Sequence, residues 1–127
     1  MKKLRQEGAN TKQKMNGQKF DEGKLPVFTV LVKQFPKAFN EIARCSASGH
    51  NKYPADVDYM NFKRVSLKEN SNRYLDACMR HLIESQGELK KDAQMENYGG
   101  AIHLAQAAWN ILAHLEIKLS ENLEVSK

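Results

Sequence analysis

The sequence predicts an all-α fold, a small bundle of three to five helices with a long aromatic-containing loop. Apolar residues recur at three- and four-residue spacing along the segments after residue 35, and prolines and glycines stand where such segments would begin and end. The length of 127 residues suits one domain with a single core. We divide the chain into a mobile or extended basic N-terminal arm, residues 1–19, a helical domain, residues 20–120, and a C-terminal tail, residues 121–127.

The N-terminal arm carries much of the positive charge. The net charge is +5, and seven of the twenty Lys and Arg residues lie in residues 1–24. Residues 1–19 contain no aromatic or β-branched apolar side chain, so they cannot bury enough surface to fold alone. No pattern typical of nucleic-acid binding accompanies the charge, and no segment has the length and apolarity of a membrane span or secretory signal. We therefore expect a soluble, cytoplasmic protein with no nucleic-acid or membrane partner.

The first long helix is predicted from Pro36 to about Ser48. Proline suits the first turn of a helix, and Gly49 stands where a glycine commonly follows the last turn. Its apolar face is predicted to hold Phe35, Phe39, Ile42 and Ala43. The apolar patch at 27–32 is compatible with a short helix or an extended strip. Residues 50–65 read as a polar loop whose aromatic side chains indicate that it packs across another element.

The second long helix is predicted to begin near Ser66 or Asn70, because either side chain can cap a helix. It is predicted to end at Gln86, with Gly87 as its stop. The residues predicted to form its apolar face are Leu75, Cys78, Met79, Leu82 and Ile83. Both cysteines of the chain lie in predicted helices without zinc-site spacing, so we expect buried free thiols.

The third helix, predicted from Gly100 to Ser120, carries the most informative pattern. It is apolar almost all the way round except for a narrow polar stripe formed by His103, Gln106, Asn110 and His114. A helix that is apolar on nearly every side is expected in the interior, where polar groups need partners. The stripe therefore predicts either a binding site or a buried polar network that holds the helices in register.

Five short motifs follow one another along the chain, whereas P-loop, GxSxG and HExxH motifs and a helical Glu-x-x-Glu pair are missing. The motifs are Phe20-Asp21-Glu22-Gly23-Lys24, Gly49-His50-Asn51-Lys52-Tyr53, Asn61-Phe62, the helix segment from Leu75-Asp76 to Arg80-His81-Leu82, and the segment from Gly100 through His103 to Asn110. In order and spacing they resemble a family of small phage-associated proteins, the N-terminal domain of dATP/dGTP diphosphohydrolases. The resemblance spans residues 19–115.

The resemblance implies an all-α fold related to nucleotide pyrophosphohydrolases, a purine deoxynucleoside triphosphate as ligand, and Mg²⁺ as cofactor. It implies catalytic roles for His103 and Asp76, and magnesium ligation by Asp76 and Asp21. The substrate-binding residues that it implies are Lys24, Lys52, Tyr53, Phe62, Arg80, His81, Gln106 and Asn110. The cations can neutralise phosphates, and Tyr53 or Phe62 can stack on a base. The implied reaction is attack of water on the α-phosphate with release of pyrophosphate.

Two positions depart from the family pattern, and they leave the function open. Gln106 stands where the family has a second His, and Phe62 where it has Trp. Glutamine cannot act as a base or as a good metal ligand. The hypotheses are therefore a purine (deoxy)nucleoside triphosphate diphosphohydrolase, a non-catalytic protein that sequesters a nucleotide signal of host defence, and a structural helical interaction module. A large ligand in a small chain also predicts a homo-oligomer, placed in the host cytoplasm if the protein is phage-encoded.

Overall fold

The computed structural model describes residues 22–50, 59–64, 70–96 and 99–126, with side chains up to residue 122 in the last range. Its elements are α1 (Val27–Val30), a 3₁₀ turn (Val32–Gln34), α2 (Pro36–His50), α3 (Asn61–Arg64), α4 (Arg73–Ser85) and α5 (His103–Ser126). These ranges contain no β-strand, and the all-α prediction is confirmed. No helix in them has both the length and the apolarity needed to cross a membrane. The predicted basic arm lies outside the described residues.

Helices α4 and α5 form an antiparallel hairpin at the centre of the fold. Tyr74, near the start of α4, packs against Ala113 and Ile117, which lie far along α5. At the other end of the hairpin, His81 of α4 meets His103 in the first turn of α5. The hairpin therefore brings together two histidines that are 22 residues apart in sequence.

Local signals define the ends of α4. The Asn70 side chain accepts a hydrogen bond of 3.1 Å from the Asn72 N–H, and the helix begins at the next residue. At the other end Gln86 adopts a left-handed conformation, with φ of 52°, and its N–H donates to the carbonyls of Ile83 and Leu82. The helix ends at Ser85, one residue before the predicted end at Gln86, and the predicted stop residue Gly87 follows with φ of 77°. Of the two predicted caps, Ser66 lies outside the described residues.

The segment between α4 and α5 folds back onto the start of α5. The Asp92 N–H donates to the Ala101 carbonyl at 2.8 Å, and the His103 N–H donates to the Lys90 carbonyl at 2.9 Å. This folding back depends on Gly100, whose φ is 92°. A Cβ at this position would lie 3.4 Å from the Lys91 Cδ. As a result, Asp92 lies beside the first turn of α5.

Trp109 joins two small hydrophobic clusters. One cluster consists of Tyr74, Ala113 and Ile117, and the other of Cys45, Met95 and Ala101. The Trp109 indole packs against both and makes edge-on contacts with the rings of Phe62 and Tyr74, at centroid distances of 5.6 and 6.1 Å. Both cysteines are free thiols, as predicted; Cys45 is buried and Cys78 half-buried.

The predicted apolar face of α4 is only partly buried. Met79 and Ile83 are 55% and 70% exposed, whereas Tyr74 and Ser85 are buried. Tyr74 contacts Ala113 and Ile117 of α5, and His81 contacts His103, so the side of α4 that carries these two residues packs against α5. This neighbouring face packs because its small and polar side chains fit the alanine-rich side of α5 and meet His103. Apolar spacing alone did not distinguish these adjacent faces.

Helix α5 is interior on one side only. Ala105, Ala113 and Ile117 are buried, but Ile111, Leu112, Leu115 and Leu119 on the other side are 42% to 53% exposed. The prediction of burial on nearly all sides is therefore wrong for the single chain. The helix begins at His103 rather than Gly100, because the positive φ angles of the two glycines before it are not helical. It continues to Ser126, six residues beyond its predicted end.

Candidate functional site

A cavity of about 330 Å³ lies between α2, α3, α4 and α5. Five of the eight predicted substrate-binding residues line it: Phe62 of α3, Arg80 and His81 of α4, and Gln106 and Asn110 of α5. Ligand pockets typically have volumes of about 300 to 1,000 Å³. The fold thus gathers residues from three separate sequence motifs around a space that can hold part of a ligand.

Cations and aromatic rings complete the wall of this cavity. Arg73 lies on α4 seven residues before Arg80, so both guanidinium groups start from one side of the helix. The rings of His50 and Tyr59 are stacked at a centroid distance of 4.3 Å, and the Trp109 indole forms another part of the wall. Guanidinium groups bind phosphates, and flat rings stack on bases. The lining therefore suits an anionic ligand with an aromatic part.

The polar stripe of α5 forms a hydrogen-bonded chain along the cavity. The Gln106 Nε2 donates to the Asp92 Oδ2 at 2.8 Å, and the Asn110 Nδ2 donates to the Gln106 backbone carbonyl at 2.8 Å. Both amide side chains are buried. One turn further along, the His114 Nδ1 is buried and has no hydrogen-bond partner among the described residues. The stripe is therefore a polar network at Gln106 and Asn110.

Two histidines meet at the end of the hairpin beside an acid. The Nδ1 atoms of His81 and His103 are 2.9 Å apart, and the Asp92 Oδ2 lies 4.0 Å from the His103 Nδ1. The side chains of His103 and Asp92 are each 15% exposed. Two ring nitrogens at this distance either share one hydrogen or direct their lone pairs at a common cation. His81 lines the cavity, so this group lies at its edge.

The Asp92 carboxylate is held in its ionised form. Burial raises the pKa of Asp92, but hydrogen bonds from the Gln106 amide and the Gln94 N–H lower it, as do the nearby rings of His103 and His81. The outcome is a pKa below the ordinary value for aspartate. The group is therefore an anion beside two imidazoles at neutral pH.

Two other predicted site residues lie away from this group. Lys24 is exposed before α1, and Asp76 is exposed in the first turn of α4; neither lines the cavity. Asp21, Lys52 and Tyr53 lie outside the described residues, and the roles of all five stay predictions.

Sequence reasoning missed Asp92, which lies in a charged connection without a motif. The available signal was its place eleven residues before His103, where the polar stripe starts, and seven residues before the Gly99-Gly100 pair.

A larger groove of about 1,080 Å³ lies between α2 and α5, on another face of the molecule. Its walls include Ile42, Leu104 and Ala108, and the cations at its rim include Arg44 and Lys91. None of the predicted site residues within the described ranges lines it. We assign the candidate site to the smaller cavity because the buried polar groups and the histidine pair converge there.

Comparison with known proteins adds one finding. A family model described as dATP/dGTP diphosphohydrolase, N-terminal, matches residues 14–126 of the chain. The match includes every residue of the cavity and of the histidine–aspartate group. No curated protein and no solved structure gives a match to the chain.

Proposed function

Because the chain belongs to the dATP/dGTP diphosphohydrolase N-terminal domain family, we propose that it binds a purine deoxynucleoside triphosphate and cleaves it to a monophosphate and pyrophosphate. The observation that carries this proposal is the convergence of Phe62, Arg80, His81, Gln106 and Asn110 on one cavity. These residues come from three helices, so their meeting is a property of the fold and not of local spacing.

In this proposal, arginines of α4 bind the phosphates. Arg73 and Arg80 both line the cavity, and none of the described residues that line it with them is an acid. A guanidinium group donates two parallel hydrogen bonds to a phosphate and stays charged at any physiological pH. Two such groups on one side of a helix can neutralise neighbouring phosphates of the ligand.

Base recognition in this proposal belongs to the aromatic wall and to α5. The stacked His50 and Tyr59 rings and the Trp109 indole offer flat apolar faces to a purine. Asn110 is buried, and it uses its amide N–H₂ toward the Gln106 carbonyl. Its side-chain oxygen is an acceptor that suits an exocyclic amino group of the base.

Water activation in this proposal belongs to the histidine pair. His103 lies 2.9 Å from His81 and 4.0 Å from the ionised Asp92, which stabilises positive charge on the imidazole. We keep the catalytic role predicted for His103 as part of this proposal. The described carboxylates do not gather the set of oxygen ligands that Mg²⁺ prefers, so we assign it no step. Magnesium ligation by Asp76 and Asp21 stays a prediction.

A specific observation favours a second candidate function, binding without cleavage. Gln106 replaces the second His of the family pattern, and its amide is engaged with Asp92. The glutamine side chain neither gains nor loses a proton at neutral pH, so it cannot act as a base. A chain that lacks this base could hold a nucleotide signal and sequester it. The structural-module hypothesis requires the cavity to bind no nucleotide.

The exposed apolar surface supports a homo-oligomer. Leu115 and Leu119, one turn apart on α5, are each 53% exposed, and Ile83 of α4 is 70% exposed. Exposed aliphatic rows of this kind are typical of surfaces that another chain covers. We therefore include self-association in the proposed function.

The proposal is tested by incubating the purified chain with each dNTP and with cyclic nucleotides, with and without Mg²⁺ or Mn²⁺. Thermal shift reports binding, and anion-exchange chromatography reports products. Stabilisation with a deoxynucleoside monophosphate and pyrophosphate as products supports the hydrolase. Stabilisation with the nucleotide recovered intact supports the sequestering protein, and no response to any nucleotide overturns both.

A matched pair of variants locates the binding site. Arg80→Ala removes a cation from the cavity, and Lys37→Ala removes an exposed cation that lines only the larger groove. We expect Arg80→Ala to weaken nucleotide binding at least tenfold, because a charged hydrogen bond is worth about 1.5 to 3 kcal/mol. Lys37→Ala should bind as the parent does. Equal affinities in the two variants would exclude the cavity as the phosphate site.

A further inference from the structure

We infer that His81, Asp92 and His103 bind one divalent transition-metal ion. One ligand atom from each residue lies within 4.8 Å of the other two. Among the described residues, no other group of three histidine, cysteine or acidic side chains is gathered this closely. The two histidines come from the two arms of the central hairpin and the aspartate from the segment that joins them.

The distance between the imidazoles fits a shared ion. Metal–nitrogen bonds of about 2.0 to 2.1 Å at angles of about 90° to 110° hold two ring nitrogens about 2.9 to 3.4 Å apart. The observed His81–His103 distance is 2.9 Å. The Asp92 oxygen lies 4.0 Å from the His103 nitrogen, so it must move about 0.6 to 1.1 Å closer to that nitrogen to bind the same ion.

The acid of the group is held in place by its own hydrogen bonds. Gln106 Nε2 donates to the Asp92 Oδ2 at 2.8 Å, and the Gln94 N–H donates to the Oδ1 at 2.9 Å. Metal-ligating carboxylates are typically oriented by outer groups in this way. Backbone hydrogen bonds from Asp92 to Ala101 and from His103 to Lys90 fix the loop as well. The donor atoms are therefore positioned before an ion arrives.

The donor set selects the class of ion. Two imidazole nitrogens and one carboxylate suit Mn²⁺, Fe²⁺, Co²⁺, Ni²⁺ or Zn²⁺, whereas Mg²⁺ prefers oxygen ligands throughout. Three protein ligands leave positions for water, as in catalytic metal sites. His81 lines the cavity beside Arg80, so a metal-bound water would lie at the cavity edge. That last step rests on the proposed function, whereas metal binding itself does not.

The inference is tested by titrating the untagged chain, stripped with EDTA, with Co²⁺ and Zn²⁺ in the absence of nucleotide. We expect one equivalent per chain, with a visible Co²⁺ absorption spectrum indicating nitrogen ligands, and no competition from excess Mg²⁺. His81→Gln, His103→Gln and Asp92→Asn should each weaken binding at least tenfold. Glu84→Gln, an exposed acid on α4, is the matched control and should bind as the parent does.

Circular dichroism identifies any variant that fails to fold, and only the folded variants are used to test the metal site. The inference is overturned if the parent shows no saturable Co²⁺ or Zn²⁺ binding, or if the folded variants bind as tightly as the parent. In that case the 2.9 Å contact is a hydrogen bond between the two rings. The metal titration contains no nucleotide, so its result is independent of the nucleotide incubation. Metal binding in the titration without cleavage in the incubation overturns only the hydrolase proposal. Cleavage without metal binding overturns only this inference.

Discussion

Replacing Asp92 by Asn removes a charge from the group that joins the connecting loop to α5. Both carboxylate oxygens accept hydrogen bonds, one from Gln106 at 2.8 Å and one from the Gln94 N–H at 2.9 Å. An asparagine has one acceptor oxygen. In either orientation of its amide, the NH₂ group therefore faces one of the two donors, the Gln106 amide or the Gln94 N–H. A hydrogen bond to a charged group contributes about 1.5 to 3 kcal/mol, and we expect the free energy of unfolding to fall by that amount.

The assay is urea denaturation followed by circular dichroism at neutral pH in EDTA, so that no ion contributes. At about 4 °C per kcal/mol for a domain of this size, the expected loss corresponds to a melting temperature lower by about 6 to 12 °C. Gln106→Ala and the double variant complete a cycle, whose coupling energy should reach at least about 0.5 kcal/mol.

Two results would refute this reasoning. One is an Asp92→Asn variant whose unfolding free energy lies within about 0.5 kcal/mol of the parent, the usual range for surface substitutions. The other is strict additivity with Gln106→Ala, because the two side chains would then be independent. Glu84→Gln should stay within the same 0.5 kcal/mol and serves as the control.

Three further predictions concern the core, the loop and the exposed surface. Trp109→Ala removes the side chain common to both hydrophobic clusters and should lower the unfolding free energy in urea by about 3 to 5 kcal/mol, with a smaller loss contradicting its joining role. Gly100→Ala, at φ of 92°, should destabilise by about 1 to 2 kcal/mol in a thermal melt, whereas Gly49→Ala in α2 should be neutral or stabilising. Leu115→Glu should halve or further reduce the mass by light scattering while helicity persists; an unchanged mass would exclude that face from self-association.

The predictable part of the fold rests on local signals. Pro36 begins α2, and Gly87, with φ of 77°, follows the end of α4, because proline favours the first turn of a helix and glycine readily adopts the left-handed conformation after its last turn. The site residues on helices were predictable for a related reason. Arg80, His81 and Asn110 belong to family motifs with regular helical spacing, and all three line the cavity.

The unpredictable part depends on contacts between distant segments. Which face of α4 packs is decided by its fit to α5, and the apolar spacing that includes Met79 and Ile83 competes with an adjacent face that is more polar. The role of Asp92 depends on a loop that returns on itself through two residues with positive φ, Gly99 and Gly100. No residue spacing in the sequence predicts that this loop folds back and brings Asp92 beside α5.

The position of Trp109 links ligand binding to the unfolding of the whole domain. The same indole that forms part of the cavity wall also connects the two hydrophobic clusters, so an opening of the cavity that displaces the indole also disrupts the core. A ligand that stacks on the indole therefore binds only the fully folded state of the chain. At a hundred times its dissociation constant, such a ligand adds about 2.7 kcal/mol to global stability. Amide hydrogen exchange would then slow together along α4 and α5, and not only at the cavity.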